Sequence, residues 1–172
     1  MGLAGFGRIA RATAVRAWAF GMSIYYHSRT RAAAETEARL GACYLPSLGE
    51  LAGIADVLSL HVPGGLATRN MIDATLLARM KPTAILVNTA RGSIIDEAAL
   101  AAALRQGGIA AAGLDVYANE PAIDPALAAL ENAVLLPHLG SATVETRTAM
   151  GMQAAANLEA FFSGREPPNR VA

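Results

Sequence analysis

Residues 5–10 read Gly-Phe-Gly-Arg-Ile-Ala, "GFGRIA", set between an apolar stub, "MGLAG" (1–5), and a helical pattern, "RIARATAVRAWAFG" (8–21). Gly5 permits a tight strand-to-helix turn, Gly7 lets a pyrophosphate approach the backbone, and Ala10 lets helix and strand pack closely. Free N–H groups at the helix start would then hold phosphate. A glycine pattern by itself is a weak signal. Here it follows a strand, opens a helix and leads into a second strand, "MSIYY" (22–26), which is the context that gives it meaning. Gly5, Phe6, Gly7, Arg8 and Ile9 are therefore the expected phosphate cradle.

Working outward, short apolar runs keep alternating with helical patterns. "RAAAETEARLG" (31–41) predicts a helix ended by Gly41, and "ACYLP" (42–46) a short strand. "SLGELAGIA" (47–55) predicts a helix whose Ser47 and Glu50 form a capping box. "DVLSLHV" (56–62) reads as a buried strand stopped by Pro63, and "ATRNMIDATLLARM" (67–80) as helical. "AILVNTA" (84–90) is a strand, "DEAALAAALRQGG" (96–108) a helix with acids in its first turn, and "AAAGLDV" (110–116) and "AVLLPH" (133–138) are strands. A long helix runs from Thr143 to Phe162, with Gly164 and "EPP" beyond it. Near-continuous apolar strands with short connections predict an α/β fold, a doubly wound parallel sheet of about seven strands, Rossmann-like rather than an eight-fold barrel.

Composition narrows the partners. The 172 residues are 53% hydrophobic and 16% charged, with a formal net charge of zero, so the chain is globular and lacks the basic excess that nucleic acid or an anionic membrane would want. Cys43 is the only cysteine, which excludes an internal disulfide and a cysteine-based metal site; no metal is expected. No run of about 18 apolar residues occurs, so no membrane span is expected, and the expected compartment is the cytoplasm. The first 34 residues hold five arginines and no acid, a transit-peptide-like bias, but the glycine spacing gives that stretch a structural reading instead. Phe6 stands where a myristoylation signal needs Ser or Thr.

In an open sheet of this kind ligands bind outside the carboxyl ends of the strands. A site for NAD usually carries an acid about 20 residues after the glycines, to hold the ribose 2′-hydroxyl. This chain has "HSRTR" (27–31) there instead, and Ser28, Arg29 and Thr30 suit a 2′-phosphate, so NADP is favoured over NAD. Other strand ends supply His61, then Thr89, Ala90 and Arg91, then Asp115 with Glu120 just beyond, then His138. Each alone has a dull explanation: a surface charge, a turn acid, a helix cap, a structural histidine. Together they gather on one edge of one sheet.

"GFGRIA", "LVNTARGSIIDEAAL", "AGLDVYANEP", "LLPHLGSAT" and the closing "NLEAFFSGREPPNRV" resemble the D-isomer-specific 2-hydroxyacid dehydrogenases, especially their glyoxylate and hydroxypyruvate reductases. The resemblance covers nearly the whole chain, with the motifs in family order. It implies a catalytic set of Arg91, Glu120 and His138, with Asp115 holding the nicotinamide carboxamide. "VPGGLATRNMI" (62–72) resembles the family's loop after the fourth strand, which adds Val62, Pro63 and Thr68 to the cofactor residues, and Gly140 and Ser141 follow His138 beside the same ligand. The implied chemistry is hydride transfer to a 2-keto carbon. His138 would protonate the oxygen, Glu120 would hold the imidazole, and Arg91 would offer a fork of donors to the substrate carboxylate. The implied partners are a small 2-keto or 2-hydroxy acid and, by resemblance, a second copy in a homodimer.

Family members carry a substrate domain upstream of the glycine turn, whereas here Met1 stands almost inside the first strand. The expectation is therefore a dinucleotide-binding domain over residues 1–142, a helix and tail over 143–172 that would pack on a substrate domain, and a chain largely lacking that domain. Two functions follow: an NAD(P)-dependent 2-hydroxyacid dehydrogenase or its cofactor-binding fragment, and a non-catalytic nucleotide-binding module like the corepressor relatives of the family. For the dehydrogenase, the resemblance implies glyoxylate or hydroxypyruvate as the 2-keto acid.

Overall fold

A computed structural model of the protein describes residues 1–171. Seven strands form one parallel sheet in the order β3-β2-β1-β4-β5-β6-β7. They are β1 (Gly2–Ala4), β2 (Ile24–His27), β3 (Ala42–Tyr44), β4 (Val57–Leu60), β5 (Ile85–Asn88), β6 (Ala111–Leu114) and β7 (Ala133–Leu135). The chain begins in the middle of the sheet, winds outward to β3, then returns past β1 to β4. That reversal separates the loops after β1 and β4 and opens a crevice between them, where an α/β sheet takes its ligand.

Consecutive strand residues face opposite sides. In β1, Leu3 joins an apolar core with Phe6, Ala10, Ala14, Tyr26 and Leu40, while Ala4 joins the larger core of Leu51, Leu58, Leu60, Leu86, Leu100 and Leu114. Helices α1 (Arg8–Ala19) and α2 (Ala34–Leu40) serve the first core, and α3 (Leu48–Ile54), α4 (Ala74–Leu77), α5 (Glu97–Arg105) and α6 (Pro125–Ala128) the second. The buried face of α1 is Ala10, Ala14 and Ala17, three small side chains at helical spacing that bring the helix close to the sheet. The Ser47 hydroxyl accepts from Glu50 N–H at 3.1 Å and so caps α3, as the capping box predicts.

Two local differences from the sequence reading have plain causes. Residues 67–80 are not one helix. A 3-10 turn covers Leu66–Thr68, and the chain then runs along the loop after β5: Asn70 N–H donates to Ser93 C=O and Ile72 N–H to Ile94 C=O. Asp73 restarts helix as the N-cap of the short α4, accepting from Leu76 N–H at 2.8 Å. Tertiary pairing with residues 93–96 has overridden local propensity. Helix α6 went unread although its start is marked: Asp124 caps it and Pro125 fills its first position.

The chain divides into two compact units, one ending at Pro137 and one opening at His138. The second is built on α7 (Val144–Phe162), whose N-cap Thr143 accepts from Thr146 N–H at 3.1 Å. Asn157 and Asn169 hold the tail against that helix with two hydrogen bonds, at 3.1 and 3.0 Å. Val144, Met152 and Phe162 are exposed, and Ala160 is the buried residue of this helix. Among the described residues no helix is long and apolar enough to cross a membrane.

Candidate cofactor groove

The crevice begins at Gly5. Its φ is +94°, and a Cβ placed on it would stand 2.6 Å from the carbonyl oxygen of His61. The residue after β1 thus touches the residue after β4 with no room for a side chain, and the turn into α1 follows. Gly7 is the N-cap of α1 and brings no side-chain cap, and the first turn carries no acid. A Cβ on Gly7 would meet nothing within 4 Å. The positive end of a three-turn helix, with its unpaired N–H groups, therefore faces open space, which suits an anion.

Three cavities of about 590, 440 and 310 Å³ share Val62 and Pro63 and so form one groove along this edge of the sheet. At one end lie Ser28, Arg29 and Thr30, after β2. In the middle are Gly5, Gly7, Ile9 and His61. At the other end are Thr89, Ala90 and Arg91, after β5. Thr68 lines the floor, with its hydroxyl donating to Pro63 C=O at 2.6 Å. Burial lowers the His61 pKa below its ordinary value, and its Nε2 lies 3.0 Å from the Ser59 hydroxyl.

The Phe6 side chain turns inward and stacks on Tyr26 at 3.8 Å between ring centroids, so only its backbone can serve the groove. Arg8 is exposed on α1 and lines none of the three cavities. Asp115 is buried after β6, its N–H donating to Asn88 C=O at 2.9 Å. Glu120 is exposed, and its carboxylate accepts from Tyr117 N–H at 3.0 Å. His138 opens the second unit with left-handed backbone, φ 58°, and Gly140 and Ser141 follow it there. No group of three or more metal-ligating side chains occurs among the described residues.

The sequence reading missed what holds Arg91. Asn88, fully buried at the end of β5, donates to Arg91 C=O at 2.9 Å and accepts from Ala90 N–H at 3.0 Å, folding the loop over itself. Gly92 then lies flat against the loop after β6, where a Cβ would fall 1.8 Å from the Tyr117 carbonyl carbon. The second loop is tied by the Tyr117 hydroxyl to Leu136 C=O at 2.8 Å and by Ala118 N–H to Glu97 at 2.7 Å. An asparagine ending an apolar strand, with glycine four residues on, is the signal that could have found this.

The description "D-isomer specific 2-hydroxyacid dehydrogenase, NAD binding domain" belongs to the family whose sequence model matches residues 1–140. The chain is 51% identical over 173 residues to a glyoxylate reductase of Aeropyrum pernix, covering 99% of this chain and 51% of that protein. It is 49% identical over 171 residues to a glyoxylate reductase of Thermococcus litoralis, with the same two coverages. Among solved structures it is similar to an NADPH-dependent glyoxylate/hydroxypyruvate reductase of Sinorhizobium meliloti in complex with NADP and malonate. That match has 46% identity and a TM-score of 0.94, and covers 99% of this chain and 52% of the other. A holo form of D-mandelate dehydrogenase from Rhodotorula graminis matches at 36% identity and a TM-score of 0.92, over 99% of this chain and 51% of that one. The chain spans about half the length of the curated relatives it matches.

Proposed function

Because the chain belongs to the D-isomer specific 2-hydroxyacid dehydrogenase family, whose NAD-binding domain it carries, we propose that it is the cofactor-holding part of an oxidoreductase acting between NADPH and a small 2-keto acid, glyoxylate or hydroxypyruvate. Residues 1–142 would hold the nucleotide. The observation that carries the reading is a groove with two cationic ends and an open helix start between them: Arg29 after β2, Gly7 at α1, Arg91 after β5. That sequence of groups fits an adenosine 2′-phosphate, a pyrophosphate and a carboxylate substrate in order. The glyoxylate reductase relatives, and the Sinorhizobium meliloti protein with NADP, support the substrate class and the phosphorylated cofactor.

The reduced nicotinamide, when bound, supplies the hydride to the keto carbon. The protein's own work is orientation and one proton. The Arg91 guanidinium offers planar paired donors to the substrate carboxylate and keto oxygen. His138 gives its proton to that oxygen, which leaves a hydroxyl; in the reverse direction it takes the proton back. Glu120, whose carboxylate accepts from Tyr117 N–H, is the acid that would favour the charged imidazole. Asp115 would hold the carboxamide of the bound nucleotide, and Gly140 and Ser141 would be among its binding residues.

Nucleotide titrations test the cofactor reading. The protein should bind NADPH more tightly than NADH. Arg29→Ala should weaken NADPH roughly ten- to hundredfold, the worth of one charge-assisted hydrogen bond, and barely change NADH. Equal affinity for both nucleotides in the unmutated protein would sink it. For the reaction, the domain by itself should bind nucleotide with little or no turnover; joined to a substrate domain it should show glyoxylate-dependent oxidation of NADPH, lost in His138→Ala while NADPH affinity holds. Tight NADPH binding without reduction of either keto acid, in a protein completed by a substrate domain, would favour the non-catalytic binding module.

A further inference from the structure

Behind the loop that carries Arg29 lies a side-chain cluster that the cofactor reading leaves unused. Strand β2 sends Tyr26 inward, where it is 0% exposed. Phe6 stacks on one face of its ring and Tyr44 meets it edge-on at 5.4 Å, so packing fixes where the hydroxyl points. That hydroxyl accepts from Ala32 N–H at 2.9 Å and donates to the Glu37 carboxylate at 2.6 Å. Glu37 reaches in from α2, with its side chain 12% exposed. It also takes both arms of the Arg31 guanidinium, at 2.9 and 2.8 Å, while Arg31 lies over the Tyr44 ring at 5.6 Å.

The loop is thereby held at both ends. His27 anchors the near end, its C=O accepting from Gly5 N–H at 2.8 Å and its ring Nδ1 lying 3.0 Å from Leu45 C=O. Ala32 anchors the far end, through its N–H on the Tyr26 hydroxyl. Between them Ser28 donates to Thr30 C=O at 2.6 Å, and Arg29 faces the groove. Two arginines stand two residues apart, and it is Arg31 that is paired with a carboxylate. Arg31 is spent on a carboxylate that would otherwise repel a phosphate.

We propose that Tyr26 and Glu37 are positioning residues for recognition of the 2′-phosphate: they clamp residues 28–32 so that Arg29 reads the phosphate, while Arg31 serves only to neutralise Glu37. The carboxyl of Glu37 sits well below the carboxylate range, at about 2, because Arg31 and the Tyr26 hydroxyl both bond to its charged form. The inference rests on the NADPH reading above and is tested so that the two can fail separately.

Tyr26→Phe keeps the stacked ring and deletes the hydroxyl. It should weaken NADPH roughly three- to tenfold, the range of one neutral hydrogen bond, and move NADH by less than about twofold. In Tyr26→Phe/Arg29→Ala the NADPH loss should be no larger than in Arg29→Ala alone, because the clamp acts through Arg29. Arg31→Ala should also weaken NADPH, and adding Glu37→Gln should restore it, because the amide keeps an acceptor for Tyr26 and removes the uncovered charge. Equal losses for both nucleotides in Tyr26→Phe, or no loss, overturn the clamp, as do additive losses in the first double variant. A failure of Glu37→Gln to rescue Arg31→Ala means that Arg31 touches the phosphate itself, and overturns its assigned part. If Tyr26→Phe unfolds, the Arg31→Ala rescue decides alone. If Arg29→Ala is not selective for NADPH, the cofactor reading fails and takes the clamp with it; if it is selective and Tyr26→Phe is not, only the clamp fails.

Discussion

At the β2 end of the groove, Arg29 sits on a loop hung from side chains: a tyrosine hydroxyl, a carboxylate and a guanidinium. At the β5 end, Arg91 sits on a loop pressed backbone to backbone against its neighbour, with Gly92 in contact with Tyr117 and Ala118. The first arrangement can be retuned one side chain at a time, since each partner is a separate and replaceable group. The second has no slack. On the proposed function, the adjustable end is the one that would tell the nucleotides apart, and the rigid end the one that would orient the substrate.

The contrast predicts its largest effect at Gly92. In Gly92→Ala the new Cβ would lie 1.8 Å from the Tyr117 carbonyl carbon and 2.1 Å from its oxygen, backbone atoms that cannot swing aside. The expected cost is more than about 3 kcal/mol, beyond ordinary overpacking. Urea unfolding measures it, and a loss under about 1 kcal/mol would break the comparison by showing that the β5 end can yield. Next comes Asn88→Ala, which strands Ala90 N–H and Arg91 C=O without their buried partner. About 2–3 kcal/mol should be lost, and substrate turnover should fall further than NADPH affinity, because Arg91 is released while the Arg29 end is untouched. A parallel fall of both would mean that the two ends are not independent.

Much of this was legible beforehand, and the limits are physical. Gly5, Gly7 and Ala10 announced the turn because a required φ above zero and a required close approach restrict residue identity. The helix ends at Gly21, Gly41, Gly107 and Gly164 are legible for the same reason, since each of those glycines has a positive φ. Residues 67–80 misled because their helical pattern is local, while the pairing of Asn70 and Ile72 with the loop after β5 is not. The Tyr26, Arg31 and Glu37 cluster was invisible in a different way. Each residue looked ordinary, and the missing acid after β2 drew attention to Arg29 alone. A different acid, Glu37 of α2, lies close by and pairs with the neighbouring arginine. Asn88 reads as an ordinary strand residue, since nothing in its spacing tells that its amide faces the chain's own next turn.

The smallest expected effect concerns His61, which lies between the two ends and belongs to both, its carbonyl against Gly5 and its ring on Ser59. Burial disfavours its cation, so its pKa in the folded protein lies below the ordinary 6.5. Between those two values the unfolded chain binds a proton that the folded protein does not. Stability from this residue is therefore complete above about pH 6.5 and declines as pH falls below it, levelling off once the folded-state pKa is passed. The slope cannot exceed about 1.4 kcal/mol per pH unit and will be smaller, because the ring is partly solvated and screened. Thermal unfolding of the nucleotide-free protein from neutral to mildly acid pH should show the decline. His61→Gln keeps an amide for Ser59 and removes the titration, so subtracting its profile from the wild-type profile isolates the part that belongs to His61. A flat difference would show that His61 is solvated well enough to titrate freely in the folded protein, and that the middle of the groove is wetter than its packing against Gly5 implies.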